Sequence, residues 1–168
     1  DTTVNITQSL PEILTVLVEG GATNITLNAG TSQFLECNAT VRDYNGGSTV
    51  TANATFYATA TDTPFTADDN NTHYTNGSCV ATGTDGFFRN FTCGFHVMYH
   101  ANIGLWNCTV NVTDTYNFSD AESNTTHLDQ LLALNVTPLI DFGDLAVGDI
   151  STPQQANVTN IGNTQINI

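Results

Sequence analysis

Lysine is absent from the chain, Arg42 and Arg89 are its only cationic side chains besides four histidines, and charged residues make up just 11% of it, less than half the usual share. The formal net charge is -14. Two arginines cannot follow a phosphate backbone, which takes several Lys or Arg on one face, so nucleic acid and anionic membranes are excluded as partners. No run approaches the ~18 apolar residues that cross a bilayer as a helix. The opening Asp1-Thr2-Thr3 has neither the basic start nor the apolar stretch of a secretion signal, as expected of a mature, trimmed chain. The last residues, Asn167-Ile168, fall inside an alternating pattern, which leaves open a downstream anchor or tail.

Catalytic patterns are missing too. No Ser sits in a Gly-x-Ser-x-Gly elbow. Asp141-Phe-Gly143 spells the magnesium-binding triplet of protein kinases, but a chain without lysine lacks the phosphate-pairing Lys of that chemistry. The triplet reads as a strand followed by a turn. His73, His96, His100 and His127 are scattered. His96 and His100 lie in an alternating segment with Phe95, Val97 and Tyr99, where i and i+4 are ~13 Å apart, too far to share a metal ion. No Cys-x-x-Cys spacing supports a tetrathiolate zinc site. Acidic positions at Asp43, Asp62, Asp68-Asp69-Asn70, Asp114, Asp120 and Glu122 read as solvated turns, with structural calcium as the alternative, although none completes Asp-x-Asp-x-Asp-Gly. No enzyme activity, bound metal or cofactor is expected.

What the chain has is Asn-X-Ser/Thr. Thirteen such triplets begin at Asn5, Asn24, Asn38, Asn53, Asn70, Asn76, Asn90, Asn107, Asn111, Asn117, Asn124, Asn135 and Asn157, and in ten the middle residue is apolar. Chance pairing would give roughly four glycan-acceptor triplets. On a strand, alternate side chains face opposite ways, so Asn-Ile-Thr or Asn-Val-Thr puts both polar groups on one face and the apolar one on the other. N-linked glycan acceptors are therefore expected to line the outside of sheets. Uncharged sugar would replace the usual ionic surface and permit close packing of many copies.

The same alternation marks the strands. In Phe34–Val41, Leu35, Cys37, Ala39 and Val41 share one side, against Glu36, Asn38 and Thr40. In 50–59, Ala52, Ala54 and Phe56 face in while Asn53, Thr55 and Tyr57 face out. In 105–113, Trp106, Cys108, Val110 and Val112 face in against Asn107, Thr109, Asn111 and Thr113. Further strands are expected at 3–7, 13–18, 24–27, 78–81, 89–95, 131–136, 155–159 and 165–168, and a weak helical turn at 123–134. Turn signals such as Asn45-Gly46-Gly47, Asn76-Gly77 and Thr84-Asp85-Gly86 separate the short strands and point to an all-β sandwich. The four cysteines allow three pairings. Cys79 and Cys93 flank Asp85-Gly86 almost symmetrically, as a hairpin with a three-residue loop would place opposite partners, which leaves Cys37 with Cys108 on two inward faces.

The stretch Gly104-Leu-Trp106-Asn-Cys108-Thr-Val-Asn-Val-Thr-Asp114 resembles the penultimate strand of immunoglobulin-like domains, in which an aromatic precedes the bridging cysteine by two. Here Trp106 stands where Tyr is usual. Val136-Thr-Pro138-Leu-Ile-Asp-Phe142-Gly143-Asp-Leu-Ala-Val147-Gly148, with Ala156-Asn-Val-Thr-Asn160-Ile-Gly162-Asn, is similar to the opening strands of ASH/Hydin-like immunoglobulin modules and their Asn-x-Gly turn. The resemblance implies an all-β, immunoglobulin-like sandwich over residues 1–133 and the start of a second such unit over 134–168. It specifies fold better than function. In composition the chain also resembles secreted, heavily glycosylated surface proteins of archaea.

Three strands cannot enclose a core, so the second unit is expected to be completed by later residues or by a neighbouring copy. The segment Val4–Val18, within residues 1–20, is a candidate donor strand, its alternative being the first strand of its own sandwich. The expected function is a non-enzymatic extracellular structural subunit, a homopolymer of copies of itself in a surface filament or layer. The rival is a monomeric adhesin or carbohydrate-binding module, for which Phe87-Phe88 beside Phe91 is the candidate site.

Overall fold

A computed structural model describes residues 8–167 as two stacked β-sheets with a short hairpin beyond them. One sheet is antiparallel, in the order β1 (Glu12–Val18), β3 (Gln33–Arg42), β7 (Phe88–Val97), β6 (Val80–Asp85). The other runs β2 (Asn24–Ile25), β9 (Ser119–Leu128), β8 (Gly104–Thr113), β4 (Thr51–Ala58), β5 (His73–Asn76). It is antiparallel except that β2 lies parallel to the end of β9. The chain changes sheets after β1 at Glu19-Gly20-Gly21, three residues with positive φ of 46, 66 and 97°. Glycine adopts that conformation without steric cost, which is why the Gly-Gly break sits there.

The inward faces of β3 and β8 fall where alternation puts them: Leu35, Cys37, Ala39 and Val41 against Trp106, Cys108, Val110 and Val112, all buried. Trp106 is the centre of this core. Its ring stacks on Phe56 at 4.8 Å, and its Nε1 donates to the Asn102 carbonyl at 2.8 Å, so the one polar atom of the indole is satisfied. Cys37–Cys108 ties the sheets together and Cys79–Cys93 ties β7 to the start of the edge strand β6, the two pairings expected. Cys37 and Cys93 are register partners on adjacent strands, so both bridges meet in one row. The β6–β7 connection is two residues, Gly86-Phe87, rather than three, because Asp85 pairs with Phe88 and an irregularity between Ala81 and Gly83 takes up the extra residue.

Three expectations are corrected. Residues 119–128 form a ten-residue strand, not a helical turn. Its inward-facing residues are mostly polar, because β9 lies beside the sheet edge. There the Asp120 carboxylate accepts from Ile13 N at 2.8 Å and Asn124 Nδ2 donates to the Val16 carbonyl at 2.7 Å. These side chains close the gap between the edges of the two sheets. Thr55 and Tyr57 face outward but are buried. β5, absent from the expected strands, pairs with β4 so that His73 lies 5.9 Å from the Tyr57 ring, and Asp68 of the preceding connection bonds to His73. Finally, the candidate donor is in large part used within its own chain, since Glu12–Val18 pairs with β3. Residues 3–7 lie outside the described residues.

Beyond β9, β10 (Leu134–Val136) pairs with β11 (Val158–Asn160), and residues 137–157 between them form no strand. Both are shorter than expected, and residues 165–167 are irregular. The turn after β11 docks on the first unit: Gly30 N donates to Ile161 O at 2.9 Å and Asn163 N to Leu131 O at 3.1 Å. Gly162 is required, because a Cβ there would lie 2.1 Å from the Leu131 carbonyl oxygen. Leu139, Phe142, Leu145, Val147 and Ile150 remain exposed. Replacing Trp106 with Ala is expected to cost ~3–5 kcal/mol of stability, read from a chemical denaturation midpoint.

Candidate functional site

The acceptor asparagines divide by face and by what their amides already do. Asn5 lies outside the described residues. Asn38 on β3 and Asn90 on β7 stand on the outer face of the four-stranded sheet, and Asn53 on β4 with Asn107 and Asn111 on β8 on that of the five-stranded sheet. Asn24, Asn70, Asn76, Asn117, Asn135 and Asn157 occupy edges, turns and the hairpin. Asn124 departs from the expected pattern. It is the register partner of inward-facing Cys108, and it is half-buried between β9 and β1.

A glycan attaches through Nδ2, so a donated Nδ2 competes with modification. Nδ2 of Asn76 donates to Gly94 O at 2.9 Å, and that of Asn107 to Tyr57 Oη at 2.9 Å, with the Asn107 Oδ1 also buried. Asn124 is held by Val16, as described. At Asn24 one carboxylate takes the whole triplet: Nδ2 donates to Asp129 Oδ1 at 2.8 Å and Thr26 Oγ1 to Oδ2 at 3.2 Å. The Asn24 bond, with those from Thr26 and His127, holds the Asp129 carboxyl below the ordinary carboxylate range despite some desolvation. Asn53, Asn70, Asn90, Asn117, Asn135 and Asn157 are exposed with Nδ2 undonated.

The remaining candidates are not brought together. His73 meets Asp68 at 3.0 Å, His96 lies tilted against the Phe34 ring at 5.1 Å, His100 meets Asn71 at 2.9 Å and His127 meets Asp129 at 3.4 Å. Among the described residues no group of three or more His, Cys, Asp or Glu side chains is placed to hold a metal ion. Asp43 and Asp114 are buried turn-builders: Asp43 accepts from Asn45 N at 2.8 Å, and Asp114 from Tyr116 N at 2.8 Å and Phe118 N at 2.9 Å. Asp120 and Glu122 lie on β9 rather than in a loop. A shallow groove of about 350 Å³ between β1 and β9, lined by Ile13, Thr15, Val16, Glu122 and Ser123, contains no nucleophile–base pair.

One grouping was missed. Phe87 is exposed, but its partner is Tyr44, with ring centroids 5.4 Å apart and the Arg42 guanidinium 5.1 Å from the Tyr44 ring. Phe91 is buried in the core. Tyr44 is remote from Phe87 in sequence, and the pairing of Arg42 with Phe88, continued by the Asp43 N bond to the Phe87 carbonyl at 2.7 Å, brings the two together. No protein-family model matches the chain, and no curated protein matches it.

Site-resolved glycopeptide mass spectrometry is expected to find sugar at Asn70 and Asn117 in most copies and little at Asn24, Asn76, Asn107 and Asn124. Asp129→Ala should raise occupancy at Asn24 several-fold.

The connection over His73 has a pH signature. Burial pushes the Asp68 carboxyl up, but hydrogen bonds from Thr75 and His73 outweigh it and leave its pKa below the ordinary 3.8. A carboxylate depressed on folding adds stability that is fully present above its unfolded pKa and lost as pH falls through the lower folded value. Unfolding measured across a pH series should show this loss below about pH 4 in the natural chain, reduced in Asp68→Asn.

Proposed function

We propose that the chain is a non-enzymatic, heavily N-glycosylated extracellular structural protein whose copies polymerise into a surface filament or surface layer. The observation that carries this reading is the placement of acceptors on the outer faces of both sheets in a chain with only two arginines and no lysine. A sheet face without charge or covalent cover is prone to association, and sugar would keep it hydrated. The two disulfides are compatible with an oxidising, extracellular setting.

An immunoglobulin-like sandwich is the finer reading of the fold. It is supported by the strand order, by a parallel β2 that continues β1 on the opposite sheet, by a bridge joining the second strand of one sheet to the middle of the other, and by the Trp106 bond to backbone four residues upstream. The β10–β11 hairpin with its uncovered apolar residues would then be the start of a second unit. Strand addition from a neighbouring copy would complete it, and the contact, being head-to-tail, need not close. Because Glu12–Val18 is paired within its own sheet and Ser9 bonds to Asn45 through both its N–H and its carbonyl, the proposed donor narrows to residues 1–8. The exposed Tyr44–Phe87 pair favours a second reading, a monomeric adhesin or carbohydrate-binding module, since flat aromatic surfaces are common anchors of recognition.

Electron microscopy of protein from a glycosylating host is expected to show uniform fibres or sheets, and its intact mass to exceed the 17.9 kDa of bare polypeptide. Deleting residues 1–8 should leave dispersed particles with both disulfides intact. Dispersed particles of the full chain at the bare mass would overturn the proposal.

A further inference from the structure

Antiparallel pairing sets acceptor triplets against one another. Asn38-Ala-Thr40 on β3 faces Asn90-Phe-Thr92 on β7 in reverse, so that Asn38 stands opposite Thr92 and Thr40 opposite Asn90. The hairpin repeats the arrangement: Asn135 is opposite Thr159, and Asn157 N donates to Thr137 Oγ1 at 2.8 Å. On the five-stranded sheet Asn53 lies directly opposite Asn111. None of these juxtapositions is visible from sequence spacing. Six of the thirteen acceptors are therefore coupled across strands.

We propose that each couple carries one glycan at a time and that the hydrogen bonds within the sheet, where they engage one member's triplet more than the other's, select which member carries it. The inference rests on the glycoprotein reading above. Side chains directly opposite have Cβ atoms ~5 Å apart, and diagonal ones ~7 Å. Transfer forms a C–N bond between Asn Nδ2 and the anomeric carbon of the sugar. It breaks that carbon's bond to the phosphate leaving group of a lipid-linked sugar donor, and the amide gives up one proton. The transferring enzyme must engage both the Asn amide and the Thr hydroxyl of a triplet, and a glycan standing on the opposite strand occupies the space of that approach. The first transfer thus blocks the second.

The bonds decide the order. The Thr137 hydroxyl of the Asn135 triplet is engaged by the Asn157 backbone, whereas the Thr159 of the Asn157 triplet is exposed. The Thr92 hydroxyl of the Asn90 triplet donates to Asn38 Oδ1 at 2.6 Å, whereas Asn38 does not donate its own Nδ2. Asn157 and Asn38 are the favoured members. Asn111 spends its Nδ2 on Asn53 Oδ1 at 3.3 Å and the Thr55 hydroxyl of the Asn53 triplet is buried, so neither member of that couple is favoured.

The test is site-resolved occupancy in full-length protein from a glycosylating host. In each couple the two fractional occupancies should sum to no more than unity, with Asn157 well above Asn135 and Asn38 well above Asn90. Thr159→Val destroys the Asn157 triplet at an exposed position yet leaves the Asn157 side chain in place. Asn135 occupancy should then rise several-fold. A rise in Asn157→Gln but not in Thr159→Val would trace the effect to the Asn157 side chain alone and overturn the exclusion. Occupancies summing well above unity would overturn the coupling while leaving the glycoprotein reading intact. Sugar at none of the thirteen acceptors would overturn both.

Discussion

Register is the constraint on which the rest depends. Side chains alternate with a period of two, so slipping one strand by a single residue would turn every outward Asn and Thr into the core and every Val and Ala into water. Two devices prevent this slip where it would matter most. Cys37–Cys108 locks β3 against β8 across the core, and Cys79–Cys93 locks the edge next to β7. Trp106, two residues before Cys108, is fully buried, stacked on Phe56 and bonded to Asn102, a set of contacts only one register of β8 satisfies. The faces that display the acceptors are fixed by the core beneath them.

That dependence explains what could be read from the sequence. β3 and β8 were legible because from Leu35 and from Trp106 onward each inward residue is apolar and each outward one polar, the pattern that burial of one face produces. β9 was not legible. Its inward positions Asp120 and Asn124 answer to the backbone of β1 rather than to a hydrocarbon interior, and only Leu128 at its end is buried and apolar. Tyr57 failed for the opposite reason: alternation gave its face correctly, but β5 and the connection before it cover that face. The cysteine pairing was recoverable from symmetry about one turn. The pairing of Arg42 with Phe88, which draws Tyr44 to Phe87, depends on a contact between strands far apart in sequence and left no local trace.

The acceptor triplets show the same limit at the level of single atoms. As a pattern, Asn-X-Thr reports only where a sugar could be attached. In the fold the same amides are also structural donors, and an amide that bridges sheets, as Asn124 does, contributes about 1 kcal/mol that modification would forfeit. An exposed turn residue such as Asn117 faces no such conflict. Abundance of triplets therefore overstates abundance of usable sites, and the excess has a structural use: neutral Asn and Thr ladders hold neighbouring strands together without charge, as in the Thr92–Asn38 and Asn111–Asn53 bonds.

The lack of lysine would then bear on how copies meet. Edge strands are commonly guarded by lysine, which this chain lacks, and the irregularities on β1 at Leu14 and on β6 near Thr82 are the guards that the backbone itself supplies. Both edges of the four-stranded sheet are thus interrupted. The β10–β11 hairpin has no comparable irregularity in its register, and Leu134, Val136 and Val158 on its strands are exposed together with the apolar residues of the connection. An apolar surface beside an unguarded strand edge is prone to association, so the proposed covering strand would fall there and not on the acceptor-bearing faces. Under the proposed assembly, the interrupted edges of the four-stranded sheet and the sugared faces would favour growth through that one contact, and a chain with one donor and one acceptor at separate places would extend in a line rather than collapse into an aggregate.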